Sequence, residues 1–437
     1  MKNTLNIGIA GVGTVGRGVL DILYQKQGKL SKKAGVPLNV VLIVDKAPEG
    51  KLDGLSLPYH CCISRNIEDL FADNIDIVVE MIGGTNEARY LIEESIKRKK
   101  CVVTANKAVL SLIGKEILER SKHYGVDVGI EASVAGGIPI IDIIRKDLIA
   151  NHIRFLYGIL NGTSNYVLGA MAEQMIPLEK ALDEAKAKGY AEANPSLDIS
   201  GQDAAHKLCV LMGVALDFWP ELANLYVEGI ENISNVDIKF GLELGMIIKL
   251  LAIAKLHGHS IELRVHPVML PSTHLLSHVN QAFNAIYLDL DRTGPLLFYG
   301  QGAGRYPTAS AVVADIVSIA KKISSGSLKE STQGVINNGQ NLNIIPMEEV
   351  ESEFYLRFML SDVPGMIGQI AITLGRNKVS ISQVIQKERK EGKTVPVVLI
   401  THKTREAMLR NALQEIYGMQ GVLSEPVRII RIERFTL

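Results

Sequence analysis

The sequence predicts an α/β chain in three parts: an open, doubly wound parallel sheet, an α+β middle region, and a small C-terminal βαββαβ unit. Three observations predict it. The glycine triplet "GVGTVG" (Gly11 to Gly16) lies between an apolar strand pattern and a helical one. Short apolar runs then alternate with amphipathic stretches as far as Val134, the pattern of a parallel sheet with crossover helices. From Glu353 onward the order reads strand, helix, strand, strand, helix, strand.

Composition narrows the class. A chain of 437 residues exceeds one ordinary core, so two or three domains are expected. Lys plus Arg and Asp plus Glu number 47 each, so the basic footprint of a nucleic-acid binder is missing. The four cysteines, Cys61, Cys62, Cys101 and Cys209, form no C-x-x-C pair; neither a zinc ribbon nor a disulfide framework is indicated, and a reduced, cytoplasmic setting is expected. No apolar run is long enough for a transmembrane helix, and the N-terminus passes directly into the first strand without a signal-peptide core.

In the first part, "LNIGIA" (Leu5 to Ala10) is the opening strand, and Val15, Val19 and Ile22 share one face of the helix that follows. Gly11, Gly13 and Gly16 fit G-x-G-x-x-G. Such glycines permit a tight turn and let backbone N–H groups approach a pyrophosphate at the helix N-terminus, which makes Gly11, Gly13, Thr14, Val15 and Gly16 candidate cofactor contacts. The alternative is a glycine-rich turn with no ligand; the flanking strand and helix favour a Rossmann-type site. A second strand, "LNVVLIVD", ends in Asp45, an acceptor for a ribose 2′-OH and so a pointer to NAD, whereas Lys46 and Lys51 offer charge for the 2′-phosphate of NADP. The spacing from Gly16 to Asp45 exceeds the usual ~20 residues, and an extended loop over Lys29 to Val36 is expected to absorb the excess. Strands "IDIVVE", "CVVTA" and "VDVGIEASV" alternate with helices "NEARYLIEESIKRKK" and "AVLSLIGKEILERSKHYG". Ligands in such sheets sit beyond the carboxyl ends of the strands, which places Gly83 to Thr85 and Asn106-Lys107 on the ligand side. Lys107 reads equally as a solvated lysine or as a cation beside cofactor and substrate. "EASVAGGIPI" (Glu131 to Ile140) is either a plain small-residue loop or an oxygen-lined site for a monovalent cation.

The middle part holds the densest chemistry. "PLEKALDEAKAKG" is an amphipathic helix with Pro177 at its start and Gly189 at its end. "YAEANPSLD" reads as an irregular loop, and "ISGQDAAHKLCVLMGVAL" as an apolar helix opened by Ser200-Gly201. Asp203 and Lys207 lie one turn apart on that helix. A lysine carried into an apolar helix needs a partner. By spacing alone the two are equally a structural ion pair or a proton-transferring lysine held by an acid. His206 reads as a packing residue. "GQGAGRYPTASAVVADIVSIAKK" carries Gly300, Gly302 and Gly304 ahead of a helix entered at Pro307, either a connector or an approach to an anion.

These residues, in this order, resemble homoserine dehydrogenases over essentially the whole chain. The most specific part is "AKAKGYAEANPSLDISGQDAAHK", which matches the family signature from Ala185 to Lys207; "VTANK" and "GAGRYPTA" are similar to the family's as well. The resemblance implies reversible NAD(P)-dependent conversion of L-homoserine to L-aspartate 4-semialdehyde in threonine and methionine biosynthesis. It implies Lys207 as proton donor and acceptor, Asp203, Asp198 and Glu192 as substrate contacts, Gly189 and Gly302 as cofactor contacts, and Lys107 between the two ligands. Glu131, Val134, Gly136 and Ile138 resemble the family's sodium site. Many members carry an arginine for the NADP phosphate after the second strand; here the chain reads "IVDKAPEGK". With no aspartate kinase segment before Met1, the short monofunctional type is implied.

The expected division is a dinucleotide-binding domain over 1–134, to which the chain returns near 300–320, and a substrate and dimerisation domain over 135–320. A polar connector over 321–352 and a regulatory domain over 353–437 complete it. In the last, "DVPGMIGQIAITLG" is a helix with Asp362 as cap, and the turn before it resembles that of an ACT domain. The resemblance implies a homodimer or homotetramer with an amino-acid effector, threonine, at the ACT interface; a purely dimerising module is the alternative. Two rival functions remain: a semialdehyde dehydrogenase, which needs a nucleophilic cysteine that neither Cys101 nor Cys209 is placed to supply, and a non-catalytic amino-acid sensor.

Overall fold

Five buried apolar runs and one short, mostly exposed edge strand build the first sheet. In the computed structural model, which describes residues 2–55, 57–328, 342–387, 394–419 and 421–435, β1 (Leu5–Ala10) pairs in parallel with β2 (Leu38–Val44) on one side and β4 (Ile77–Glu80) on the other. With β3 (Cys62–Ser64), β5 (Cys101–Thr104) and β6 (Val128–Gly129) the order is β3-β2-β1-β4-β5-β6, all parallel. Strand order reverses beside β1, and this creates the crevice where such folds take their ligand. Helices α1 (Thr14–Gln25), α2 (Gln27–Ala34), α3 (Asn86–Lys97) and α4 (Lys107–Tyr124) make the crossovers. Helix Arg305–Ser325 returns to pack on α1. Gly18 permits that approach, because a Cβ there would meet Arg305 O at 2.8 Å.

Two expectations for this sheet are corrected. The segment Lys29 to Val36 is not an extended loop: α2 occupies Gln27–Ala34. Its apolar stripe is one residue wide at its end, where Ala34 is fully buried, and Gly35 at φ 74° closes it behind Lys32 and Lys33, which suit a helix C-terminus. The strand expected over "VDVGIEASV" covers only Val128–Gly129. Asp315 takes the Glu131 backbone N–H at 2.9 Å, so that amide has no ladder to join, and Glu131–Ser133 forms a short 3₁₀ turn.

The chain divides into two compact units: 1–162, 203–225 and 282–342 form one, and 163–202, 226–281 and 343–437 form the other. The first unit adds an antiparallel trio, Ile153–Ile159, Phe283–Leu290 and Gly294–Gln301, with the middle strand paired to both others. Helix Arg305–Ser325 runs past the 320 boundary into the expected connector, of which residues 329–341 lie outside the described residues.

The second unit is built on the long hairpin Met246–His257 and Ser260–Pro271. Strand Arg428–Ile432 joins the hairpin in parallel and opens the C-terminal sheet, whose order is Arg428–Ile432, Glu351–Ser361, Thr394–Thr401, Ile381–Gln386. In chain order that is fourth, first, third, second, with helices Met366–Arg376 and Glu406–Tyr417 supplying the βαββαβ connections. Phe354, Leu356, Phe358, Leu374, Leu399 and Leu413 fill its core. Asp362 is not the cap of the first of these helices. Gly365, at φ 92°, stands there instead, and Asp362 accepts a hydrogen bond from Gln386. The loop expected over "YAEANPSLD" ends in a short helix, Ser196–Ile199.

Candidate active site

Gly11 has φ 91°, and a Cβ on it would lie 2.5 Å from Met81 O; a Cβ on Gly16 would lie 2.1 Å from Gly11 O. Gly13 is different: nothing stands within 4 Å of where its Cβ would be. Two glycines therefore shape the turn and the third leaves an open face. That face lies at the N-terminus of α1, whose first turn holds Thr14 and Val15, carries no acid and has no side-chain cap. These are the conditions under which a helix terminus accepts a pyrophosphate, so the residues fit the group. Asp45 follows β2 directly. Its carboxylate accepts from Val12 N at 2.8 Å, from Ala47 N at 2.9 Å and from Lys51 Nζ at 2.7 Å. Burial works to raise this carboxyl, but Lys51 and the two backbone donors hold it below the ordinary range. Lys46 is paired with Glu87 at 2.7 Å.

Sequence reasoning missed Glu80. It is fully buried at the end of β4, and burial raises its carboxyl. It accepts from Ile82 N, Gly83 N and the Thr104 hydroxyl, at 2.9, 3.3 and 2.5 Å. Asn106 donates to Gly84 O at 2.7 Å. The loop bearing Thr85 and the loop bearing Lys107 are thereby tied together at the ligand-side ends of β4 and β5.

Lys107 is the first residue of α4, whose N-cap is Asn106. Its ammonium lies 3.0 Å from Asp203 Oδ1. The other oxygen of Asp203, Oδ2, accepts from Lys207 Nζ at 2.8 Å and from Asn161 Nδ2 at 2.8 Å. Lys207 also donates to Leu160 O at 2.6 Å. Asp203 and Lys207 are 7% and 8% exposed, whereas the Lys107 side chain is 40% exposed, so a buried acid is clasped between a buried lysine and an open one. Burial alone would raise the Asp203 carboxyl; the Lys207 and then the Lys107 ammonium, with the donors of Lys207 and Asn161, hold it well below the usual carboxylate range. Thus the two readings of the Asp203–Lys207 spacing meet in one geometry, an ion pair with a partly exposed second cation. His206 stands against Ser111, with Nδ1 2.6 Å from the hydroxyl; burial, reinforced by Lys107 and opposed by Asp203, keeps it below its ordinary value.

The structure brings together Lys107, Asp203 and Lys207, and adds Asn161 and the Leu160 carbonyl, neither of which the sequence singles out. Gly189, Glu192 and Asp198 belong to the second unit. There Gly189 (φ 74°) ends helix Leu178–Ala187, Glu192 is exposed, and the Asp198 carbonyl accepts from the Ser164 hydroxyl at 2.7 Å. Gly302 is packed against Asn284, whose amide would lie 2.0 Å from a Cβ on it. The Glu131 carboxylate accepts from Ile141 N at 2.9 Å and Asp142 N at 2.8 Å, so it caps a backbone turn. Val134, Gly136 and Ile138 follow it in a loop where Ala135 and Gly136 have φ 53° and 39°. Among the described residues no group of three or more His, Cys, Asp or Glu side chains is placed to hold a metal, so a cation there would rely on backbone carbonyls. Cys101 and Cys209 are buried, and burial pushes both thiols up to about 12, so neither of these two is placed as the nucleophile of a thioester route. No helix among the described residues is long and apolar enough to cross a membrane.

Comparison with known proteins gives a single answer. Residues 139–317 match the family model for homoserine dehydrogenase, and residues 11–131 match the model for the homoserine dehydrogenase NAD-binding domain. A homoserine dehydrogenase of Helicobacter pylori is 42% identical over 434 residues, covering 99% of this chain and 100% of that one. One of Pseudomonas aeruginosa is 38% identical, covering 98% and 99%. The crystal structure of a homoserine dehydrogenase from Thiobacillus denitrificans superposes with a TM-score of 0.90 at 38% identity, covering 99% of each chain. A hyperthermophilic archaeal homoserine dehydrogenase in complex with NADPH superposes with a TM-score of 0.62 at 26% identity over 73% of this chain.

Proposed function

The chain belongs to the homoserine dehydrogenase family of NAD(P)-dependent oxidoreductases, and from that premise we propose that it interconverts L-homoserine and L-aspartate 4-semialdehyde, with Lys207 moving the proton. The observation that carries the reading is the Lys107–Asp203–Lys207 cluster at the ligand-side end of β5, on the side of the sheet that holds the glycine loop.

When bound, the nicotinamide supplies hydride acceptance and return. The chain's own residues do the rest. Gly11, Gly13, Thr14, Val15 and Gly16 would hold the pyrophosphate. Thr85, by its place on the ligand side of the sheet, and Gly189 and Gly302, by the family resemblance, are the further residues assigned to the cofactor. Asp203 fixes the Lys207 ammonium, which spends two of its three N–H groups on Asp203 and Leu160. The third N–H direction is where the substrate oxygen docks, within the ~3 Å that proton transfer requires. Lys107, anchored on the other oxygen of Asp203, supplies positive charge to the same oxygen or to the substrate carboxylate. Glu192 and Asp198 receive the substrate ammonium. Asp45 favours NAD, and Lys46 and Lys51 give NADP a second-best welcome.

The functional division is 1–134 for cofactor, 135–320 for substrate and dimerisation, and 353–437 for regulation as an ACT-type module that binds threonine. The working form is a cytoplasmic homodimer or homotetramer, with sodium held by Glu131, Val134, Gly136 and Ile138 as a structural ion. A spectrophotometric assay of the purified chain with L-homoserine and either NAD⁺ or NADP⁺ tests the reading. Homoserine-dependent reduction is expected; its absence with both cofactors rejects the assignment. Unchanged rate and unchanged oligomeric state in excess L-threonine reject the regulatory part alone.

A further inference from the structure

The second unit contains a chain of polar contacts that runs from the last strand to the short helix carrying Asp198. Arg431, on strand Arg428–Ile432, is 2% exposed. It donates from Nε and Nη2 to the two carboxylate oxygens of Glu406, at 2.9 and 2.5 Å, the forked arrangement a guanidinium makes with a carboxylate. Its remaining donors leave the C-terminal module. Nη1 reaches Glu228 Oε2 at 2.9 Å and Nη2 reaches the Tyr226 hydroxyl at 3.0 Å, while that hydroxyl donates to the same Glu228 oxygen at 2.8 Å. One planar group thus holds a carboxylate from each of two segments.

The segment Tyr226 to Ile230 is in turn seated on the end of the short helix that carries Asp198. Glu228 N donates to Val265 O at 2.8 Å, and Ile230 N donates to Ile199 O at 2.8 Å. Gly229 allows this: a Cβ there would fall 2.2 Å from Ile199 O and 2.6 Å from Ser200 Cα. Gly201, at φ 81°, lies against Val227 and Val265. Asp198 is the residue before Ile199, and its carbonyl is pinned by Ser164.

We propose that Arg431 and Glu228 are positioning residues for Asp198, through which the C-terminal module sets the affinity for the substrate ammonium. The inference rests on Asp198 as a substrate contact. The pair joins a buried guanidinium to a half-buried carboxylate, and its proposed role is one that a generic stabilising bridge does not have. Breaking the pair shifts the Val227–Ile230 segment, tilts Ile199 to Gly201, and weakens ground-state binding of homoserine while leaving the glycine loop after β1 unchanged.

The test uses the full chain with three substitutions: Glu228→Gln, Tyr226→Phe and Asp198→Asn. Glu228→Gln keeps shape and loses charge; Tyr226→Phe removes only the bridging hydroxyl and guards against a variant that fails to fold. The KM for homoserine and for the nicotinamide cofactor are measured separately, with thermal melting as the fold control. A rise in homoserine KM of roughly three- to tenfold in Glu228→Gln, smaller in Tyr226→Phe, with cofactor KM unchanged, supports the proposal. A rise in Asp198→Asn with no rise in either folded variant overturns it and leaves the substrate role of Asp198 standing. No rise in Asp198→Asn removes that role, and the proposal falls with it. An equal rise in both KM values marks a merely structural bridge and also overturns it.

Discussion

Asp203→Asn puts the central cluster under the most direct physical strain. The change preserves shape and leaves an oxygen for Asn161, but it removes the one negative charge between two ammonium groups at 2.8 and 3.0 Å. At an effective dielectric of about 20, two unit charges 2.8 Å apart attract by about 6 kcal/mol. Desolvation offsets much of that in the native pair, yet removing one partner leaves Lys207 buried beside only a carbonyl and an amide. Such losses cost about 3–5 kcal/mol. The Lys107 pair adds little, because its lysine is 40% exposed. We expect unfolding of the variant at neutral pH to be easier by that amount. The deficit should follow pH in one direction. Asp203 sits well below the ordinary carboxylate range when folded, so its stabilisation is complete above the unfolded value of about 4 and drains as the pH falls toward the folded one. The gap between wild type and variant therefore narrows below about pH 4. Turnover should fall too, by about 10²-fold in kcat/KM for homoserine, because Lys207 is no longer held for proton transfer. Urea unfolding over a pH series and steady-state kinetics read both. A variant as stable and as active as wild type refutes the reasoning, and a destabilised variant with unchanged kinetics reduces the cluster to a structural ion pair.

Three further outcomes follow from the same geometry. Asp45→Ala frees Lys51 and removes the acceptor of the Val12 N–H in the Gly-rich loop, so the KM for NAD⁺ should rise about tenfold while that for NADP⁺ rises less or falls; parallel rises in both contradict the role given to Asp45. Burial pushes the Asp315 carboxyl up to about 8. The folded chain then holds a proton that the unfolded chain, with a value of about 4, releases; stability is full below about pH 4 and is lost as the pH climbs through 8. Asp315→Asn should flatten the fall in melting temperature between about pH 5 and pH 8 by a few degrees, and an unaltered slope counts against it. Gly302→Ala places a methyl 2.0 Å from the buried Asn284 amide; a loss of about 1–3 kcal/mol and weaker cofactor binding are expected, and a neutral substitution shows the loop to be looser than described.

How far the sequence reveals this arrangement depends on the range of each interaction. The parallel sheet is legible because its strands are buried on both faces and read as continuous apolar runs, from "LNIGIA" to "CVVT". The glycine loop is legible because turn, strand and helix occur together. The C-terminal βαββαβ order is legible from alternation and turn residues alone. The helix over Gln27–Ala34 is not, since "KLSKKAG" shows charge where a helix of that length shows only two apolar positions. Nor is the early end of β6, which is decided by Asp315, far along the chain. The site divides in the same way. The Asp203–Lys207 pair is one helical turn apart and announces itself. The Lys107 contact to Asp203, the Asn161 donor and the Leu160 acceptor come from separate elements and carry no local signal. Glu80 is hidden for another reason: an acid at the end of an apolar strand reads as the strand's boundary, whereas here it organises the loops after β4 and β5.

Lys207→Ala tests the central claim most directly. Steady-state turnover with homoserine is measured beside a binding titration of the reduced cofactor. The account predicts that kcat falls by at least about 10²-fold while cofactor affinity is retained; homoserine oxidation at the wild-type rate would contradict it.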